Sequence, residues 1–466
     1  MQRQRPQRAP GAELVLPPGH RIAKRQALRQ QHQGARKITF RRIIHHRVQT
    51  ITLQPQSQGR HMHTQLVALA TDGLEQITRP VLVVLQQLHL RKAVGRAVDF
   101  LHANEVLAFC HAARMFAREG NRGIPRCNRF IGLCTVLSRF GYTGHAVHDN
   151  DGTFYDRHIV FPNLGFDTFT PIEYMNGIEY NPTDWPDDSV LTDVIMDALA
   201  STNGPDFVYT ITVQAHGKYP RERIEWFDYG FSAEGFESEE EKNAFEYYLS
   251  QLHETDAFIG ELIEELSVFK EPVIAVFFGD HLPEFDLTDE DLTTGSLFKT
   301  EYAVWSNRKL EARDRNLTAY RLGSWILENA GFNAGILPRL HRHFSGFGNY
   351  QSMLSVTEYD MLYGDGEICR AVYGPDGGLE PSRMRMGVAP VALDGVSFTG
   401  GALIASGHGF TLNSVIKVDG REMETLFINE GTLACALDEM PEGMSVTVAQ
   451  IGNSIVLSET EIVVTQ

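Results

Sequence analysis

Residues 273–283 read Val-Ile-Ala-Val-Phe-Phe-Gly-Asp-His-Leu-Pro. Six consecutive apolar residues, several of them β-branched or aromatic, are the length of one strand. Their continuity, in place of alternation, predicts a strand covered on both faces. Gly279 then allows a tight turn, and Asp280 and His281 stand side by side just beyond it. A second run of the same kind, 207–213, leads into Gln214-Ala215-His216-Gly217. Between the two, residues 240–266 carry apolar side chains at helical spacing, preceded by Ser238-Glu239-Glu240-Glu241, a capping-box pattern that also suits the helix dipole. Strand, helix, strand with continuously apolar strands predicts an α/β domain with a mainly parallel sheet flanked by helices. In such sheets ligands bind at the carboxyl ends of the strands. The places to look for chemistry are therefore just after Val213 and just after Phe278.

The same reading extends outward. Residues 136–140 end a helix at Gly141, 143–148 form a short strand, and 149–152 make a polar turn. Residues 190–200 have helical spacing, 301–305 have strand character, and 320–328 form an amphipathic helix closed by Gly331. From residue 386 the pattern changes to short strand-like runs at 388–393, 402–404, 415–418, 426–428, 433–436, 445–450 and 462–464, divided by Gly, Asn and Asp. That spacing predicts an all-β sandwich. A Gly-Pro-Asp-Gly-Gly stretch at 374–378 marks a linker. The domain plan is 131–373 for the α/β domain, 374–385 for the linker and 386–466 for the sandwich.

Residues 1–130 stand apart. They hold 22 Lys+Arg against 6 Asp+Glu, whereas the remainder holds 20 against 53. They also hold 9 of the 18 His and 15 of the 20 Gln, with no Tyr or Trp. No aromatic-plus-basic motif accompanies the charge, so no nucleic-acid partner is expected. A break this abrupt reads as an atypical segment rather than a native domain. No run approaches the roughly 18 apolar residues of a membrane helix, and no apolar stretch follows the basic start as in a secretory signal. The five cysteines, Cys110, Cys127, Cys134, Cys369 and Cys435, have the spacing of neither a zinc cluster nor a disulfide framework.

Three short pieces carry the chemistry. Asp280 and His281 offer one hard oxygen and one imidazole nitrogen, half of a donor set for Mn2+ or Zn2+. His216, past the other strand end, can bind a phosphate oxygen or protonate a leaving group. Asp151-Gly152-Thr153-Phe154-Tyr155-Asp156-Arg157 places an Arg near aromatic rings, where it can clamp an anionic ester.

In this order the pieces resemble the lipoteichoic acid synthase (phosphoglycerol transferase) branch of the alkaline phosphatase–sulfatase superfamily. The resemblance covers roughly residues 131–365. It rests on Phe-Tyr-Asp-Arg at 154–157, Asn-Leu-Gly-Phe-Asp at 163–167, Thr-Val-Gln-Ala-His-Gly at 212–217 and Phe-Phe-Gly-Asp-His-Leu-Pro at 277–283. It continues through Gln351, Tyr359-Asp360 and Tyr363-Gly364. It implies an alkaline-phosphatase-like fold and a metal pair Asp280 and His281, usually with Mn2+ (Zn2+ or Mg2+ in its place). It implies a phosphate contact at His216 and a glycerophosphate contact at Arg157, with Tyr155 where the family often has Trp. The C-terminal sandwich resembles an IPT/TIG module.

The implied activity is metal-dependent transfer of phosphoglycerol from a glycerophospholipid or glycerophosphate ester to a cell-envelope polymer. The catalytic domain would be membrane-anchored and extracytoplasmic. The family's Thr nucleophile, and a further acidic ligand at the end of a first strand, belong upstream. Thr64, Thr71, Thr78, Glu13 and Asp72 lack the family's surroundings. The nucleophile is therefore unassigned, the sheet is expected to lack its first strand or have it replaced, and the chain is expected to be impaired. A formylglycine sulfatase is disfavoured, because no Cys-x-Pro-x-Arg or Ser-x-Pro-x-Arg occurs. A phosphate or sulfate ester hydrolase of the same fold and a non-catalytic envelope-binding protein are the alternatives.

Overall fold

The strands at the sheet's middle are apolar on both sides because helices cover both faces. The computed structural model describes residues 49–52 and 81–87 as backbone, and 132–310, 315–362, 364–373, 382–439 and 442–465 in more detail. All fall in one compact unit, Val48–Gln466. Eight strands form the first sheet: β1 (Gln49–Thr52), β2 (Val81–Gln87), β3 (Thr143–His148), β4 (Thr168–Pro171), β5 (Asp206–Thr212), β6 (Val273–Gly279), β7 (Lys299–Ser306) and β8 (Arg385–Met386). Their order is β1-β7-β6-β2-β5-β3-β4-β8. From β6 to β8 every pairing is parallel, and among these strands only β7 is reversed, pairing antiparallel with both β6 and β1.

The helices are α1 (Leu133–Ser138), α2 (Arg157–Asn163), α3 (Val190–Ala200), α4 (Glu239–Ser267), α5 (Leu322–Asn329), α6 (Ile336–Phe344), α7 (Tyr350–Leu362) and α8 (Glu367–Tyr373). Alternation along the strands sorts the core into two layers. Phe207, Tyr209, Ile211, Ile274 and Val276 pack with Val136, Phe161, Leu322 and Ile326 on one side. Val208, Val273 and Ala275 pack with Leu191, Ile195, Phe258 and Leu262 on the other. Strands 143–148 and 206–212 and helix 190–200 fall within a residue of the positions read from the sequence.

The sequence reading left the first strand of the sheet missing or replaced. The structure fills a central slot with β2, paired parallel to β5 on one side and β6 on the other. Its sequence, Val-Leu-Val-Val-Leu-Gln-Gln, contains the longest early apolar run, which is why it suits a doubly covered position. Thr64, Thr71, Thr78, Glu13 and Asp72 lie outside the described residues.

Two stretches of the α/β domain read from the sequence are built differently. Of the apolar face read along α4 (Phe245, Tyr248, Leu249, Leu252, Ile259, Leu262, Ile263 and Leu266), only Leu262 and Leu266, in the second half, are fully buried, with Phe258 beside them. In the first half Glu246, Ser250, Gln251 and Thr255 are buried instead. That half runs past the strand ends, where polar groups need partners. The stretch read as a linker ends in β8, which adds an edge strand to the α/β sheet through Arg385 N–H to Asp167 O at 2.9 Å and Gly387 N–H to Phe169 O at 2.7 Å.

The C-terminal part is a sandwich, as expected. It comprises β9 (Ala392–Thr399), β10 (Ala402–His408), β11 (Ser414–Val418), β12 (Arg421–Glu422), β13 (Thr425–Asn429), β14 (Thr432–Ala436), β15 (Ser445–Gly452), β16 (Ile455–Glu459) and β17 (Val463–Val464). One sheet is β13-β14-β10-β9; the other is β12-β11-β15-β16 with β17 beside β15. Leu403, Phe410, Ile416, Leu433, Val446 and Val448 fill the space between them. The first strand starts four residues later than expected, after Pro390, which cannot donate to a ladder. β16 was not anticipated. It follows from the two-residue turn Asn453-Ser454, both residues left-handed with φ of 47° and 67°.

Candidate active site

Register fixes where the chemistry sits. Gln87 of β2 pairs with Gly279 of β6 and with Thr212 of β5, while His148 of β3 pairs with Ile211 of β5. The carboxyl ends of β6, β2, β5 and β3 therefore share one edge of the sheet. The segments that leave this edge, 148–157, 213–220 and 279–285, contain every candidate residue.

After β6, Asp280 is buried and His281 half-buried, with Nε2 of the ring 3.9 Å from Asp280 Oδ1. His281 Nδ1 lies 2.7 Å from Leu282 O, a carbonyl that can only accept. Nδ1 therefore carries a proton, and Nε2 is the ring nitrogen on the Asp280 side. After β5, His216 has the same arrangement, Nδ1 being 2.6 Å from Gly217 O. Trp185 meets the His216 ring edge-on at 5.1 Å between centroids. Burial pushes the His216 imidazole below its ordinary range, and the Gly217 hydrogen bond and the nearby Glu284 oppose this only in part. His216 is therefore neutral at pH 7 and presents a lone pair to the site.

Aromatic packing ties these two loops together. Tyr219 stacks on Phe285 at 5.0 Å and 21°, and Tyr248 and Phe245 from α4 pack edge-on and tilted against Phe285 at 5.6 Å. Tyr219 and Phe285 follow His216 and His281 closely in the chain, so the cluster holds both strand-end loops at one place.

After β3, Arg157 is 3% exposed. Its guanidinium donates to Phe154 O at 3.1 Å and lies 5.3 Å and 5.5 Å from the Phe154 and Tyr155 ring centroids. That is cation–π range, and the aromatic pair orients the Arg. Tyr155 and Asp156 both have positive φ, 55° and 54°, an uncommon conformation for such residues and one that surrounding contacts must hold.

Sequence reasoning missed the polar layer beneath these loops. His148, Asp149 and Asp188 are each 0% exposed. Asp188 accepts from Gln214 N–H at 3.0 Å, Val213 N–H at 3.3 Å and the Thr255 hydroxyl at 2.8 Å, and so fastens the His216 loop to α4. Burial, and then the Asp188 charge, push the Asp149 carboxyl well up. Burial, and then the Arg157 charge, hold His148 well below its ordinary range. Burial raises the Asp188 carboxyl as well, opposed by the hydrogen bonds it accepts, and Arg157 is the buried cation beside this layer. Asp149 was legible only as part of a polar turn. Asp188 had no local signal, since its partners lie 25 to 67 residues away.

The implied metal can be tested against these donors. Asp280 and His281 supply two, short of the four to six a divalent ion takes. Among the described residues no group of three or more His, Cys, Asp or Glu is arranged to hold a metal. The neighbouring strand end, β2, finishes in Gln86-Gln87, amides where a carboxylate was expected. The described residues do not make a complete divalent-metal site.

Comparison with known proteins agrees with the motifs. The Sulfatase family model matches residues 111–324. A Rhizobium meliloti protein named for cyclic beta-1,2-glucan modification is 25% identical over 243 residues, which is 48% of this chain and 38% of that protein. The capsular polysaccharide biosynthesis protein RkpI of the same organism is 26% identical over 149 residues, 32% of this chain and 25% of that protein. The chain thus spans well under half the length of these relatives. Among solved structures, the Streptococcus pyogenes phosphoglycerol transferase GacH, in complex with sn-glycerol-1-phosphate, superposes with a TM-score of 0.46 at 17% identity. That superposition covers 66% of this chain and 90% of GacH. The family match, over just under half of the chain, is a likeness to the sulfatases.

Proposed function

We propose that this domain binds a glycerophosphate ester at the shared strand edge and belongs to a phosphoglycerol-transfer system that modifies a cell-envelope glycan. The observation that carries the reading is the convergence of a buried arginine, a neutral histidine and an Asp–His pair on the carboxyl edge of one parallel sheet. Arg157 offers a planar, permanently charged fork to phosphate oxygens. His216 bonds the phosphoryl group or the departing oxygen, depending on its protonation. The names of the relatives, glucan modification and capsular polysaccharide biosynthesis, support a glycan acceptor. Extracytoplasmic placement on a membrane anchor goes with that acceptor. Among the described residues no helix is long and apolar enough to cross a membrane.

Asp280 and His281 are proposed as two ligands of a Mn2+ site whose remaining donors the described residues do not supply. On the described donors alone, turnover would be weak. The test is calorimetric titration of the full chain with sn-glycerol-1-phosphate and with Mn2+, alongside release of glycerol phosphate from phosphatidylglycerol. Specific ester binding with feeble Mn2+ affinity and slow release is the expected result. Absence of ester binding would remove the proposal, and rapid Mn2+-dependent turnover would remove the impairment.

A further inference from the structure

The C-terminal sandwich touches the α/β domain at one place that matters chemically, the start of the loop carrying Tyr155 and Arg157. The turn between β15 and β16 brings the Asn453 side-chain amide onto the Asp151 carboxylate and, at 3.1 Å, onto the Thr153 hydroxyl. Asp151 Oδ1 in turn accepts from the Thr153 backbone N–H at 2.9 Å and its hydroxyl at 2.7 Å, closing a local turn. Three backbone bonds continue from it: Phe154 N–H to Asp151 O at 3.1 Å, Asp156 N–H to Thr153 O at 2.9 Å, and His158 N–H to Gly152 O at 3.1 Å. The two left-handed residues and Arg157 lie within this set.

A second layer supports the first. Both carboxylate oxygens of Glu173, itself 3% exposed, accept from Gly152 N–H at 3.1 Å. A Cβ at Gly452, in the sandwich, would collide with that carboxylate, so the hairpin approaches as closely as glycine permits. Thr411 Oγ1 donates to Glu173 O at 2.7 Å, the Gln450 amide donates to the same carbonyl, Asn176 Nδ2 donates to Phe410 O at 2.9 Å, and Tyr174 and Ser458 hydroxyls meet at 2.6 Å. A spacer on a linker would not need this polar seam.

We infer that the sandwich is a positioning element of the site: its 452–454 hairpin holds the 151–157 loop so that Arg157 is set for an anionic ester, with Asn453 as the contact residue. The inference rests on the reading of Arg157 as the ester-binding arginine. Asn453 is a positioning residue, acting through Asp151 and Thr153.

The test uses Asn453→Asp, which keeps a residue that tolerates positive φ but sets a carboxylate against Asp151. The double variant Asp151→Asn/Asn453→Asp exchanges donor and acceptor across the same contact. Hydrogen exchange of peptides covering 151–158 is read in the full chain, together with calorimetric affinity for sn-glycerol-1-phosphate. The single variant should exchange about tenfold faster there, with strands β10 and β15 unchanged, and bind the ester about tenfold more weakly, the loss expected for one hydrogen bond to a charged group. The double variant should recover most of both. Unchanged exchange at 151–158 in the single variant, or no recovery in the double, overturns the inference. If the wild-type chain fails to bind the ester, the functional reading fails, and exchange alone decides the positioning role.

Discussion

Two neighbouring strands, β6 and β2, end at the same level of the same sheet with opposite chemistry. β6 finishes in Gly279-Asp280-His281, a carboxylate and an imidazole; β2 finishes in Gln86-Gln87, two neutral amides. Both strands are apolar in sequence and central in the sheet. Only one satisfies the chemistry of a cation site, because an amide oxygen is a far weaker partner for a divalent ion than a carboxylate. The difference teaches that a sheet can be completed by any apolar run of the right length, while a site needs particular atoms at its end.

The largest expected effect concerns the group that serves the site without any metal. Arg157→Ala should weaken sn-glycerol-1-phosphate binding about a hundredfold in calorimetry, the scale set by a buried, charge-assisted, bidentate Arg–phosphate pair. If affinity survives, the β3 loop plays no part and the comparison between strand ends loses its phosphate. Next, a carboxylate restored to β2 should sharpen the contrast. Either Gln86→Glu or Gln87→Glu should raise Mn2+ affinity about tenfold or more, as an added charged ligand does. No gain in either variant would mean that the β2 end does not complete the β6 donors.

A smaller effect links the loop to pH. Burial, with Asp151 nearby, raises the Glu173 carboxyl from its ordinary 4.5 to about 7. The native state therefore binds more protons than the unfolded chain between those values. Stability from this group is fully present below about pH 4.5 and is lost as pH rises through about 7. Chemical denaturation should show a loss on the order of 2 kcal/mol between pH 5 and pH 8, absent in Glu173→Gln. A profile that stays equally steep in Glu173→Gln would assign the dependence to other groups. The smallest effect is remote from both strand ends. Ser238 caps α4 by accepting from Glu241 N–H at 3.1 Å, so Ser238→Ala should cost about 1 kcal/mol in denaturation and leave ester affinity untouched.

What the sequence disclosed follows from the same distinction. The strands 143–148, 206–212 and 273–279, and the residues just past their ends, were legible because pattern and chemistry are contiguous there. So was Arg157, set in an aromatic loop. The tail around Asp360 was recognisable as a motif, but its job was not. The Asp360 carboxylate accepts from Glu367 and Ile368 N–H at 3.1 Å and 2.9 Å, starting helix α8. Helices α6 and α7 were not anticipated from the sequence pattern. The supports of the site were invisible for a different reason. Asp188 meets Thr255 67 residues later, and Thr411 meets Glu173 across 238. Such pairs exist only once the fold has closed, and no local period announces them. The inward polar face of early α4 misled the hydrophobic count for the same reason.

The central claim is that two loops from separate strand ends act on one phosphoryl group. A double-mutant cycle on sn-glycerol-1-phosphate affinity, with Arg157→Ala, His216→Ala and the double variant, measures it directly. The account predicts a coupling of about 1 kcal/mol or more, because both groups bind the same anion. Strictly additive losses would show that positions 157 and 216 serve different ligands, and the proposed site would not exist.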